Sequence, residues 1–365
     1  MSVPVLASEQ LVVSARPRFE VDGNEEARLG EDLLRLEATE DEEGMARLEA
    51  VFLNWGRAEE SSPPGFMYFD GAVLELGREI VVHAGADDNE ARIFKGIITA
   101  IEGCYPELRP PEVVVRAEDP LQWLRMRQRT RVYEGATDAD IASRIASDHG
   151  LSADAGTEGP THTELWQVNQ SDLGFLRERA RAVDARIDID DNRLVFQPRR
   201  GADEPPIPLS RESELLRFNV CADLAHQRTE VRVHGYSVAD KAGIHERAGA
   251  EAGSSEATGG GSTGPDVLAG VQGDAIEDLH LEAPVTSDEA AALAGALMRR
   301  RMRRFVCGRG VTSGTPRMRV GTKVDLVDLG AWFAGVYHVA QVRHAFDQVD
   351  GLRTYFVAER ADLGV

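Results

Sequence analysis

A chain of 365 residues, 42% hydrophobic and 28% charged, can bury a sizeable core and is longer than one core usually organises. Its 62 acidic residues against 41 basic ones leave a formal charge of −21, which argues against nucleic acid or an anionic membrane as partner. No run of 18 apolar residues could form a membrane helix, and the opening MSVPVLASEQLVV lacks the basic start of a secretory signal. We therefore expect the chain to be made and assembled in the cytosol, or exported only as part of a larger particle.

Residues 1–118 read as the first of two β domains. LVVSA (11–15), LLRLEAT (33–39), RLEAVFLN (47–54), EIVVHAG (79–85), ARIFKGIITAIEG (91–103) and EVVVRAED (112–119) alternate with period two and are rich in β-branched residues. Turn material separates them, including Asp22-Gly23, Pro63-Pro64-Gly65 and Asp70-Gly71. Many short strands with frequent turns indicate a barrel or a sandwich, and a barrel suits this half because edges are hidden only when the sheet closes or pairs with another subunit. Between Glu20 and Glu60, 14 acidic residues face 4 basic ones, a local net of −10. This run is either a solvated face or a wall turned towards a channel or a basic partner.

From 119 to 205 the period changes to that of a small α+β insert. Thr137-Asp138-Ala139-Asp140 is a capped helix start, Ile141 and Ile145 share a face, and His149-Gly150 ends the helix. A second helix opens at Ser171-Asp172 with Leu173, Leu176, Ala180 and Val183 on one stripe. ARIDIDDNRLVFQP (185–198) then predicts a hairpin turning at Asp191-Asn192. Residues 206–246 are expected to be strands leading into the second barrel. The Gly-, Ala- and Ser-rich stretch 247–273 is expected to be a flexible insertion, and its Gly259-Gly260-Gly261 lacks the Lys-Ser/Thr of a phosphate loop. Residues 274–365 hold a helix capped at Thr286, with Leu293, Leu297, Met302 and Phe305 as its apolar stripe. The second barrel follows in KVDLVDL (323–329), GVYHVAQVRHAF (335–346) and LRTYFVAER (352–360). The fold class is thus mainly β, with two tube-like β-barrel domains flanking a helix-plus-hairpin insert.

No catalytic, cofactor-binding or metal-ligating residue is assigned. GxSxG, GxxxxGK[ST] and HExxH are absent, and no GxGxxG follows a strand. His162 with Glu164, and His338 with His344, come nearest to ligand clusters, but His338 and His344 lie roughly 20 Å apart on one strand at about 3.3 Å per residue. Cys104, Cys221 and Cys307 have no zinc spacing and are expected to be buried thiols. The cluster Arg299, Arg300, Arg301, Arg303 and Arg304 is expected to pair with acids of this chain or of a neighbour. Trp55, Trp123, Trp166 and Trp332 are scattered, without the basic interleaving of a single-strand binder.

Three stretches in order carry a resemblance: SDLGFLRERARAVDARIDIDDNRLVFQP (171–198), ELLRFNVCADLAHQRTEVRVHGYSVADKAGI (214–244) and the segment 304–360 from RFVCGRG to TYFVAER. Together they resemble the phage late control D family, tail-hub proteins similar to the N-terminal half of VgrG spikes. The resemblance implies a structural hub without enzymatic activity or cofactor. As a homotrimer its six barrels would join a six-fold inner tube to a three-fold spike. The chain reaches Val365 just after the last barrel strands, so the spike is expected on a separate polypeptide, as in a phage tail or an extracellular injection system rather than the type VI form. Implied partners are further copies of the chain, that spike, the inner tube or tube initiator, and other baseplate proteins, with no nucleic acid and no membrane insertion. The alternative is a monomeric β-rich module binding a glycan or cell surface.

Overall fold

The computed structural model describes residues 16–42, 45–57, 61–85, 89–157, 159–199, 205–281 and 285–364. The strand expected at 11–15 lies outside these residues. Strands β1 (Arg18–Val21), β2 (Asn24–Glu25), β3 (Leu33–Asp41), β4 (Arg47–Leu53), β5 (Glu79–Ala84), β6 (Ala91–Cys104) and β7 (Glu112–Glu118) form an antiparallel run in the order β3-β4-β7-β6-β5-β1-β2. Period-two alternation turns Leu48, Ala50 and Phe52 of β4 inward with Val113, Val115 and Ala117 of β7 and Ile80 and Val82 of β5. Helix α1 (Ala27–Asp32) adds Leu29 to this core. Asp22 and Gly23, with φ of 48° and 77°, make the two-residue turn between β1 and β2, where both central residues need positive φ.

The insert has its own core. It comprises α2 (Gln122–Arg125), β8 (Gln128–Thr137), α3 (Asp138–Asp148), β9 (Ser152–Ala155), β10 (Thr161–Ser171), α4 (Asp172–Val183), β11 (Ala185–Asp190) and β12 (Arg193–Pro198). Thr137 and Asp140 form a capping box at the start of α3, and the Ser171 hydroxyl accepts the Gly174 N–H at 3.1 Å to start α4. Leu173, Leu176, Ala180 and Val183 all turn inward as the stripe requires, and Phe175 stacks on Tyr133 with ring centroids 5.6 Å apart. β11 and β12 pair across the Asp191-Asn192 turn, and β9 joins them in parallel.

The remainder comprises β13 (Ile207–Ser210), β14 (Leu215–Ala222), β15 (Glu230–Ser237), β16 (Ala242–Gly249), β17 (Gly260–Thr263), α5 (Gly264–Gln272), β18 (Ile276–His280), α6 (Ser287–Arg303), β19 (Val306–Thr312), β20 (Lys323–Val327), β21 (Gly335–Asp347), β22 (Gly351–Arg360) and β23 (Asp362–Gly364). The second core gathers Leu209, Leu215, Val324, Leu326, Tyr337, Val339 and Phe356 from the strands β13-β20-β21-β22-β19-β14. β21 belongs to both barrels. Its first residues pair with β20, and Gln341–Asp347 pair with Asp41–Arg35 of β3. The two barrels therefore share one 13-stranded sheet.

Two expectations need correction. Strands β15 and β16 do not lead into the second barrel; with β18 they make a separate three-stranded sheet. Val231, Val233 and Ile244 on its inner face bury Ala290, Ala294, Met298 and Met302 of α6. The buried side of α6 is thus set by small residues that let the sheet come close, while Leu293 and Leu297 are only partly covered. The stretch 247–273 is not an unpacked insertion. It contains a 3-10 segment at Ala250–Glu256, then β17 and α5, and β17 pairs with β23. Two of its glycines serve close approach: a Cβ on Gly253 would lie 2.3 Å from Met302 Sδ, and one on Gly261 2.1 Å from the Leu363 carbonyl oxygen.

Candidate assembly surfaces

The large exposed hydrophobics include one aromatic cluster. Trp55, Phe66, Phe69 and Tyr105 are 42%, 52%, 38% and 67% exposed, yet their rings touch. Phe66 stands 5.4 Å from Trp55, 5.4 Å from Phe69 and 6.1 Å from Tyr105, measured between ring centroids. The loop after β4 holds them in place. Buried Asn54 accepts the N–H groups of Met67 and Tyr68, both at 2.9 Å, and Gly56 and Gly65 exchange backbone hydrogen bonds. Tyr68 turns inward and donates its hydroxyl to Asp32 at 2.7 Å; burial, then that carboxylate, pushes its pKa far above the usual tyrosine range. Phe66 and Phe69, on either side of Met67 and Tyr68, are left facing out. Gly103 completes the cluster, since a Cβ there would meet the Phe69 ring at 3.0 Å and Tyr105 at 3.1 Å. Contiguous apolar surface of this kind marks an interaction site.

A sheet edge is the second surface. Among the described residues, β14 pairs with β19 alone, which leaves its other edge open, and Leu216, Arg217, Asn219 and Cys221 are exposed along the strand. An edge of eight residues can accept another strand. Cys221 lies opposite Cys307 in the register, and both are free thiols. The expectation of buried cysteines fails for Cys221, because β14 is an edge strand; Cys104 and Cys307 are half-buried. Burial, then Glu359, pushes the Cys307 thiol up to about 12.

Buried charge is concentrated between the insert and α6. His162 does not meet Glu164. Its Nδ1 bonds to Glu289, the third helical residue of α6, and its Nε2 lies 3.3 Å from Asp138, which Arg179 also holds at 2.6 Å. Burial opposes a charge on His162, but the hydrogen bonds to Asp138 and Glu289 outweigh it and raise its pKa to about 9. At the other end of α6, Arg303 grips Asp184 with two nitrogens and Arg299 donates to it at 2.9 Å. Burial disfavours the Asp184 charge, and the two arginines overcome this and hold its pKa below the usual carboxylate range. The arginine cluster pairs as expected, with Arg301 on Glu277 and Arg304 on Glu359. The acidic run is no bare wall either: Glu37, Glu40, Glu42 and Glu49 pair with Arg343, Arg319, Arg199 and Arg116.

The nearest approach to an acid–base site is a cavity of about 30 Å³ between the insert and the barrels, lined by Arg92, Lys95, Asp119, Asp188 and Arg319 among others. Burial raises Asp119 to about 7 against the pull of the Ala46 and Leu121 N–H groups. Burial, then Glu40, raises Asp188 to about 6. The space holds about one water, too little for a substrate. His338 and His344 stay apart: His344 is buried with Nδ1 on Thr354 and Nε2 on the Met318 carbonyl, while His338 lies opposite Lys323. Among the described residues, no three His, Cys, Asp or Glu side chains converge on a point where an ion could sit, and no helix is long and apolar enough to cross a membrane.

A family model described as the Alg8 N-terminal domain matches residues 58–348. The chain belongs to that family. No curated protein matches the sequence. The 43 kDa tail protein of prophage MuSo2 from Shewanella oneidensis is similar at TM-score 0.68 and 12% identity, over 95% of this chain and 98% of that one. A tail protein from Neisseria meningitidis MC58 gives 0.64 and 14%, over 94% and 96%. The Escherichia coli c3393 protein, described as a type VI secretion component similar to the T4 tail proteins gp27 and gp5, gives 0.55 and 14%, over 90% and 73%. At these identities the likeness establishes the fold, which is that of tail proteins. The aromatic cluster was missed in the sequence because its members are spread over 50 residues; the one local sign is Phe66 and Phe69 set in Pro- and Gly-rich turn material.

Proposed function

We propose that the chain is a non-enzymatic hub of a phage-tail-like baseplate, a homotrimer that joins a six-fold tube to a three-fold spike. The observation that carries the reading is the sharing of β21 by two barrels, so that each chain offers two tube-like units in a fixed relation and three chains would offer six. Likeness to tail proteins along nearly the whole chain supports it. An exposed aromatic cluster and a long open edge suit a protein that works by being covered. Light scattering after chromatography tests it: at 39.9 kDa per chain, the hub should reach 3 × 39.9 ≈ 120 kDa, alone or with its tube and spike partners. A 40 kDa monomer that ignores those partners would overturn the reading, and so would turnover of a glycan substrate. The exposed rings favour a second reading, a module that stacks sugars on Phe66 and Tyr105; a glycan array decides it.

A further inference from the structure

The small sheet beside α6 carries a row of three histidines. Its inner face takes Val231, Val233 and Ile244, so the alternate residues of all three strands face outward. The register sets His245 of β16 directly opposite His234 of β15, and His280 of β18 on the other side of His234. His234 donates Nε2–H to Asp278 at 2.8 Å, which fixes its tautomer and leaves the Nδ1 lone pair facing His245. His280 lies parallel on the His234 ring, with centroids 4.7 Å apart and 19° between planes, and so fixes the plane of that ring. His234 Nδ1 accepts from His245 Nδ1 at 2.8 Å. Gly243, two residues before His245, keeps its ring free, since a Cβ there would come within 3.2 Å of Nε2.

We propose that His234 and His245 form a binding site for a tetragonal divalent cation, Cu²⁺ above all, with water completing the coordination. Ligand chemistry selects the metal: imidazole nitrogens bind Cu²⁺ more tightly than the other divalent first-row ions, Zn²⁺ included. His234 stays as Asp278 and His280 hold it; the exposed His245 ring turns aside and moves its proton from Nδ1 to Nε2, so that both Nδ1 lone pairs meet one ion. Asp278, His234 and the ion then form the carboxylate–histidine–metal relay that holds ligating histidines in place. The ion fastens β15 to β16, the strands on which α6 packs.

Titration of the full chain with CuCl2, followed by calorimetry and by electron paramagnetic resonance, tests the site. We expect one ion per chain with an axial signal split by two nitrogens, and weaker binding of ZnCl2. His234→Ala and His245→Ala should each lower Cu²⁺ affinity at least tenfold, and Asp278→Asn about tenfold, the effect usual for a lost outer partner. His226→Ala, away from the row, should bind as the parent does. Because the rings face outward, the metal-free melting temperature should not move in any of these variants, and Cu²⁺ should raise it only where both ligands remain. Unchanged affinity and signal in the His234→Ala/His245→Ala double variant would overturn the proposal.

Discussion

The charges between the insert and α6 behave as single residues with long reach. Asp184 is the left-handed cap residue of α4, with φ of 60°, and it is held by two arginines of α6. Removing one partner leaves the other charge buried, so Arg303→Met should destabilise by about 3–5 kcal/mol in chemical denaturation, a larger loss than any exposed pair would give. His162 supplies a pH dependence. Its folded pKa, about 9, is above the unfolded value of about 6.5, so its stabilisation is complete below pH 6.5 and is lost as pH rises through 9. Glu42 and Asp119, both raised to about 7 chiefly by burial, lose stability in the same direction up to about pH 7. Below 6.5 the buried His338 and His344, both lowered to about 4 by burial, act the opposite way. The melting temperature should therefore fall from pH 6.5 to 8.5, and less steeply in His162→Gln. An equal slope in both proteins would show that the histidine is uncharged in the fold.

At the scale of elements, what could be read in the sequence was what is encoded within a few residues. Thr137 with Asp140, Ser171 and Thr286 with Glu289 each start a helix where their side chains cap it, and Asp191 takes the positive φ its turn requires. Pairing between distant segments was not legible, because β21 meets β3 across about 300 residues and neither strand names its partner. Nor does composition separate a glycine that frees the chain from one that lets two surfaces touch. The stretch 247–273 holds both kinds. Gly253→Val would push a branched side chain into Met302 and should lower the melting temperature by several degrees, or leave the protein insoluble. Gly270 in α5 has nothing within 4 Å of its missing Cβ, so Gly270→Ala should be neutral or stabilising by up to about 1 kcal/mol. Equal effects at both positions would return the segment to the role of a loose linker.

For the whole molecule, the question is which surfaces an assembly covers, and the cluster and the edge can be read separately. Phe66→Ser with Tyr105→Ser changes rings that are 52% and 67% exposed and contribute little to the barrel core, so the isolated variant should melt within a few degrees of the parent. A few buried aromatics often carry most of the energy of an interface, and these two changes should then lower the trimer fraction, or incorporation into particles, by tenfold or more. The edge reports through its thiol. Cys221 is exposed on β14, whereas Cys307 is half-buried with its pKa pushed up to about 12, so a maleimide should label Cys221 far faster in the isolated chain. If copies or partners pair along β14, Cys221 becomes protected in the assembled particle while the pattern in the isolated chain persists. Full labelling of Cys221 in assembled particles would remove the edge from the interface, and undiminished assembly of the Phe66 and Tyr105 double variant would remove the aromatic cluster.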